Sequence, residues 1–219
     1  TEQRMRLLRQ RPNNSKPITV LDTSGPKFPT DWSTNGQFVA FFTPWPEFAR
    51  LKTVVLDLRK AGSTTAPTVL FMESQYNEAE AVFSPGITDA GPRWIAYTST
   101  ESGRPEVYVR SFPDGNQKWP ISNGGAWQPL WRRDGRELFF LTQDGVLMAV
   151  DIHSGASFSA GIPLPLFRTS IPPYAGAPEL PAHGYAVTKD GQHFLVNQTA
   201  GDASGRSISI VTHWPPTQP

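Results

Sequence analysis

Leu130-Trp131-Arg132-Arg133-Asp134-Gly135-Arg136-Glu137-Leu138-Phe139-Phe140 is the stretch on which the fold turns. An apolar pair leads into a polar Asp-Gly turn, and an apolar run leads out of it. Asp and Gly tolerate the positive φ of a tight turn, so the pattern predicts a β-hairpin. The same arrangement recurs as DWSTNGQFVAF at 31–41 and as AVTKDGQHFLV at 186–196. A fourth copy is interrupted: Val82-Phe83-Ser84-Pro85 is followed by an insertion over 86–92, then by Arg93-Trp94-Ile95-Ala96-Tyr97.

Trp32, Phe83, Trp131 and Val187 are equivalent in the four copies and recur about every 50 residues, close to the length of one propeller blade. A third β-rich run follows each hairpin, at 53–58, 106–110, 146–151 and 207–212. Outer fourth strands are predicted at 68–71, 118–121 and 165–168, and Pro120 suits such an edge because no ladder amide is required of it. The expected architecture is therefore all-β, a β-propeller of four blade-like units of four antiparallel strands, or half of a larger ring. The division is 1–15 as a basic extension, 16–24 as a closing outer strand, blades at 27–77, 78–126, 127–172 and 173–214, and a tail at 215–219. The last unit lacks a fourth strand, so residues 18–21 are expected to complete it, within one chain or across two.

The segments KFPTDWSTNGQFVAFFT, GPRWIAYTSTESGRPEVYVRSFP, WQPLWRRDGRELFFLTQDGVLMAVDI and GYAVTKDGQHFLVN resemble TolB-like, WD-repeat-like propeller repeats. More closely, they are similar to the C-terminal propeller behind many bacterial serine/threonine kinases, in which Phe-Ser-Pro-Asp-Gly-Arg opens a blade. The resemblance covers about residues 27–214. Two copies depart from it: Pro85 lacks the Asp-Gly continuation, and Trp32 is followed by Ser33-Thr34-Asn35. The resemblance implies an extracytoplasmic, periplasmic role as a sensor domain or protein-binding platform. The sequence contains no kinase glycine-rich loop, His-Arg-Asp or Asp-Phe-Gly.

Composition narrows the function further. With 38% hydrophobic residues the chain can bury a core, which argues against disorder. A formal charge of +1 supplies no field for a polyanion, so no nucleic acid partner is expected. The run of residues 4–11 is locally basic and reads as a solvated terminal helix or strand, with contact to phosphates or anionic lipid as the alternative. There is no Cys, which removes disulfides and thiolate chemistry. No apolar run reaches the roughly 18 residues that span a bilayer, and membrane insertion is not expected. Beginning at Thr1, the sequence reads as a processed chain or a piece of a longer one.

Candidate chemistry is sparse. Gly155-Ala156-Ser157-Phe158-Ser159 fails the nucleophile-elbow pattern at its last position. His153, His183, His193 and His213 show no metal-ligand spacing. Asp31, Asp134 and Asp190 sit beside the repeat turns, where Asx side chains satisfy turn amides. No catalytic residue, metal or cofactor is expected. Trp32, Phe83, Trp94, Trp131, Phe139, Phe140 and Phe194 follow strand spacing and are expected between blades. Trp45, Trp119 and Trp127 lie outside the hairpins and, with Arg104, Arg132, Arg133 and Arg136, are the candidate binding residues. The reading is a non-catalytic module that binds a protein partner or a second copy of itself, through blade-end loops and exchanged terminal strands. Competing readings are a hydrolase or lyase with an axial-channel active site, and a sensor with a small ligand in that channel.

Overall fold

Glu137–Thr142 carries the logic of the whole fold. Along this strand Leu138 and Phe140 enter one apolar cluster while Phe139 and Leu141 enter another, so a continuous apolar run serves two buried faces. The same split occurs where Phe38 and Ala40 face one neighbour and Val39 and Phe41 the other. A sheet apolar on both sides must have a sheet packed on each, which is what radially stacked blades provide.

The computed structural model describes residues 4–12, 16–45, 50–60, 68–69, 74–86, 91–155, 157–171, 183–198 and 207–211. Among the described residues five antiparallel sheets follow in chain order. The first pairs β1 (Arg4–Arg9) with β2 (Ile18–Ser24). The second runs β3 (Phe28–Trp32), β4 (Phe38–Trp45), β5 (Arg50–Asp57) and β6 (Thr68–Val69). The third runs β7 (Glu78–Phe83), β8 (Trp94–Ser99), β9 (Glu106–Ser111) and β10 (Lys118–Pro120). The fourth contains β11 (Ala126–Trp131), β12 (Glu137–Thr142) and β13 (Val146–Ser154). Its long β13 pairs with β14 (Phe158–Ala160) along its end and with β15 (Leu164–Arg168) along its start. The fifth runs β16 (Tyr185–Val187), β17 (Phe194–Gln198) and β18 (Ser207–Val211).

Consecutive sheets are cemented by four apolar clusters. Leu21 meets Phe41 and Leu56 between the first and second sheets. Phe38 meets Phe83 and Phe112 between the second and third. Val82 and Trp94 meet Trp131 and Leu138 between the third and fourth, and Trp127 and Phe139 meet Tyr185 and Phe194 between the fourth and fifth.

The hairpin turns close alike. Ser33, Arg132 and Thr188 each donate their backbone N–H to the carbonyl five residues on, of Phe38, Glu137 and His193. The interrupted copy closes the same way across its insertion, Ser84 N–H to Trp94 O. Gly191 shows why the turn residue is Gly: its φ is +74°, and a Cβ there would lie 2.7 Å from Arg132 Cδ on the neighbouring turn.

One expectation is corrected. Residues 18–21 do not complete the last unit within the chain: β2 pairs with β1, from Arg4 opposite Ser24 to Arg9 opposite Ile18. The basic run at 4–11 supplies that partner strand, since Leu7 packs into the first apolar cluster beside Leu21. Ser157 lies at the bend between β13 and β14, and Phe158 after it fills a buried slot against Trp94 and Trp119. The sequence, with Pro172-Pro173-Tyr174 and no periodicity, predicts a long loop over 170–183, of which 172–182 lie outside the described residues.

Candidate binding site at the convergence of the inner strands

The first strand of each of the last four sheets begins after an outer strand has returned the chain to the centre, so β3, β7, β11 and β16 meet around one cavity. It measures about 290 Å³ and is lined by Thr30, Asp31 and Trp32 from β3 and by Val82 and Phe83 from β7. Leu130 and Trp131 of β11, with His183 and Val187 at β16, complete the wall. The turn residues Thr34, Pro85, Arg133 and Lys189, equivalent in the four repeats, rim it.

Irregularities in the inner strands create this geometry. The register breaks between Pro29 and Asp31, between Ala79 and Val82, and between Trp127 and Leu130. Glu80 and Gln128 sit in the latter two breaks at φ 58° and 56°, a backbone that non-glycine residues rarely adopt. The breaks turn polar groups toward the neighbouring sheet instead of the in-sheet ladder. Thr30 Oγ1 donates to Ala81 O at 2.6 Å, and Glu80 Oε2 accepts from Gln128 N–H at 2.8 Å. Gln128 accepts in turn from Gly184 N–H at its Oε1 (2.8 Å) and from Tyr185 Oη–H at its carbonyl (2.7 Å). A chain of hydrogen bonds therefore runs from sheet to sheet just behind the cavity wall.

Asp31 is part of that belt. Its Oδ1 accepts from Trp32 N–H at 2.8 Å and its Oδ2 from Phe83 N–H of the next sheet at 2.7 Å. Burial raises its pKa, and the two backbone donors counter this in part. Asp31 is thus an inter-sheet clamp; the turn role at that repeat belongs to Asn35, which accepts from Gln37 N–H. Asp134 and Asp190 do cap their turns, accepting from Arg136 and Gln192 N–H, as the sequence predicts. His183 places Nε2 3.3 Å from Pro129 O, and burial lowers its pKa, which favours the neutral ring.

Of the candidate binding residues whose side chains are described, Arg133 alone lines the cavity. Arg132 is tied to Asp134 and Glu137, and Arg104 to Glu106 and Asn123. Arg136 is exposed on its turn. Trp127 is corrected from surface to core: at 2% exposure it fills the space between the fourth and fifth sheets, because β11 starts at Ala126 and turns it inward. Trp119 is corrected too, packed at 5.3 Å from Trp94 and 4.7 Å from Phe158. Trp45 ends β4 opposite Arg50, and its side chain lies outside the described residues.

The opposite correction falls on Trp32. Its equivalent Trp131 is 9% exposed and donates Nε1–H to Val82 O on the inner strand of the preceding sheet. Trp32 is 50% exposed, because the preceding first sheet has only β1 and β2 among the described residues. The repeat alignment that equates the two tryptophans does not show what stands in front of each.

No family model and no curated protein sequence matches the chain. Among solved structures it is similar to TolB from Acinetobacter baumannii, with a TM-score of 0.61 at 16% identity, over 93% of this chain and 45% of that one. It is also similar to a puromycin-hydrolyzing peptidase from Mycobacterium tuberculosis, with a TM-score of 0.59 at 23% identity, over 88% of this chain and 32% of that one. The chain thus spans less than half the length of either, and the likeness is one of fold. Sheets apolar on both faces, stacked in chain order around converging inner strands, give this chain the fold of a TolB-like β-propeller.

Proposed function

We propose that this chain is a non-catalytic binding module that takes a segment of a protein partner at the cavity where its inner strands converge. The observation that carries the reading is Trp32, a half-exposed indole on a cavity whose apolar wall is formed by Val82, Phe83, Leu130 and Trp131. An exposed aromatic beside an apolar hollow is the usual composition of an interaction hot spot. The polar lining supports binding over turnover, since both oxygens of Asp31 and one nitrogen of His183 are engaged by the backbone. Thr188 Oγ1 is likewise engaged, by Asp190. An extracytoplasmic location belongs to the same proposal and rests on the resemblance of the repeats.

The test is to pan a random-peptide display library on the immobilised chain and measure the enriched peptides against Trp32→Ala. Losing an exposed hot-spot indole is expected to weaken binding by about 10-fold or more while leaving the thermal midpoint in place. Enriched peptides that bind the variant as tightly as the parent would remove the cavity from consideration.

A further inference from the structure

One position of the repeat sets the charge of the cavity. Thr34, Pro85, Arg133 and Lys189 follow the equivalent Trp32, Phe83, Trp131 and Val187 at the same distance, and all four line the cavity. On the second and third sheets this position is neutral, and Thr34 Oγ1 accepts from Gly86 N–H at 3.1 Å, which joins the two turns. On the fourth and fifth sheets it is a cation both times. Those two turns touch, since a Cβ added at Gly191 would fall 2.7 Å from Arg132 Cδ. Like charges on touching turns repel each other, and an anion set between them relieves the repulsion.

Among the described residues the chain supplies no such anion. Asp134, next to Arg133, is held by the Arg132 guanidinium and by Arg136 N–H. Asp190, next to Lys189, accepts from Thr188 Oγ1–H and from Gln192 N–H. Glu137 pairs with Arg132. Arg133 and Lys189 are exposed, and neither has a hydrogen bond or ion pair among the described residues. Asp31, the one acid among the described lining residues, stands on the second sheet with both oxygens taken by backbone N–H groups. The cavity is thus polarised. An incoming carboxylate is repelled by Asp31 and drawn to the turns of the fourth and fifth sheets, where the planar Arg133 fork suits its two oxygens.

Size and chemistry together select the ligand. At about 290 Å³ the cavity is at the small end of ligand pockets, which run roughly from 300 to 1,000 Å³, and so it suits the end of a chain rather than a length of it. The carboxyl-terminal residue of a polypeptide carries an apolar side chain and a carboxylate on one carbon atom. An internal Asp or Glu needs a neighbour to supply the apolar contact. We infer, resting on the binding-module reading above, that the cavity captures the carboxyl terminus of a partner protein. The last side chain, apolar, lies against Phe83, Leu130 and Trp131, and the terminal carboxylate lies between Arg133 and Lys189.

The probes are synthetic pentapeptides acetyl-Gly-Ser-Gly-Ser-X, with X as Phe, Leu, Ala or Lys, each made as the free acid and as the amide. A further amidated peptide, acetyl-Gly-Ser-Phe-Glu-Gly, carries its carboxylate on an internal side chain. Each is titrated by calorimetry into the parent and into the double variant Arg133→Gln/Lys189→Gln. The thermal midpoint of the variant should match that of the parent, because neither side chain has a partner among the described residues. The Phe or Leu acid should bind about 10-fold or more tighter than its amide, the loss expected when a hydrogen-bonded charge is removed. That preference should shrink to about 2-fold or less in the double variant, and with added salt in the parent. The Ala and Lys acids should bind more weakly than the Phe acid. No binding of any free acid, equal affinity of acid and amide, or an undiminished preference in the double variant would overturn the inference. An internal Glu peptide that binds as tightly as the Phe acid would also overturn it, by moving the carboxylate to a side chain. Panned peptides that need Trp32 yet bind alike as acid and amide would sink capture of the terminus alone and leave the binding module standing. Panned peptides indifferent to Trp32, Arg133 and Lys189 would remove both.

Discussion

At the scale of single residues, burial and hydrogen bonding push two carboxylates of the third sheet in opposite directions. Glu78, enclosed in β7, has its pKa raised from 4.5 to about 7 by burial, against the pull of Ser74 and Arg110. Glu106 is also penalised by burial, yet hydrogen bonds from Ser122, Arg104 and the N–H groups of Gly124 and Gly125 outweigh it and lower its pKa. Between pH 4.5 and about 7 folded Glu78 keeps a proton that the unfolded chain releases, so its contribution is complete at the acid end and lost as pH rises through about 7. Glu106 behaves oppositely, its contribution present above the unfolded value and lost as pH falls through its lowered one. Urea unfolding across this range should show Glu78→Gln removing a decline on the order of 2 kcal/mol toward neutral pH. Parallel pH profiles for parent and variant would refute the assignment. Neither shift is legible in the sequence, because enclosure by neighbouring sheets decides it.

At the scale of elements, the hairpin turns were readable and the register breaks were not. Asp134-Gly135 and Asp190-Gly191 announce their turns because the φ they require selects the residue types. Glu80 and Gln128 occupy positive φ for a tertiary reason: each break aims polar groups at the next sheet. Gln128 is the hub of the fourth sheet, taking Gly184 N–H on its side chain and Tyr185 Oη–H on its carbonyl. Tyr185→Phe keeps the ring and removes the hydroxyl that donates to the Gln128 carbonyl, which should cost about 1 to 2 kcal/mol in denaturant unfolding. A variant as stable as the parent would show that the bond adds nothing to docking of the fifth sheet.

At the scale of the molecule, stability should be distributed along the row of sheets, each interface contributing locally. Leu138 and Leu141 lie three residues apart on β12 and are both fully buried, yet they serve different interfaces. Replacing either by Ala should cost about 2 to 5 kcal/mol, with different consequences for hydrogen exchange. Leu138→Ala should loosen the third sheet first, and Leu141→Ala the fifth. Uniform loss of protection in both variants would mean that the sheets unfold as one unit.

The chain's alternation, its Asn/Asp-Gly turns and its fifty-residue recurrence by themselves determined that it folds as stacked antiparallel sheets, because those are local demands of strand pleat and turn φ. Which equivalent residues are exposed was decided only by the tertiary structure. Trp32 and Trp131 occupy the same place in their repeats, but one faces an inner strand and the other an incomplete sheet. Solvent exposure depends on what stands opposite a side chain, and a repeat carries no record of its neighbour.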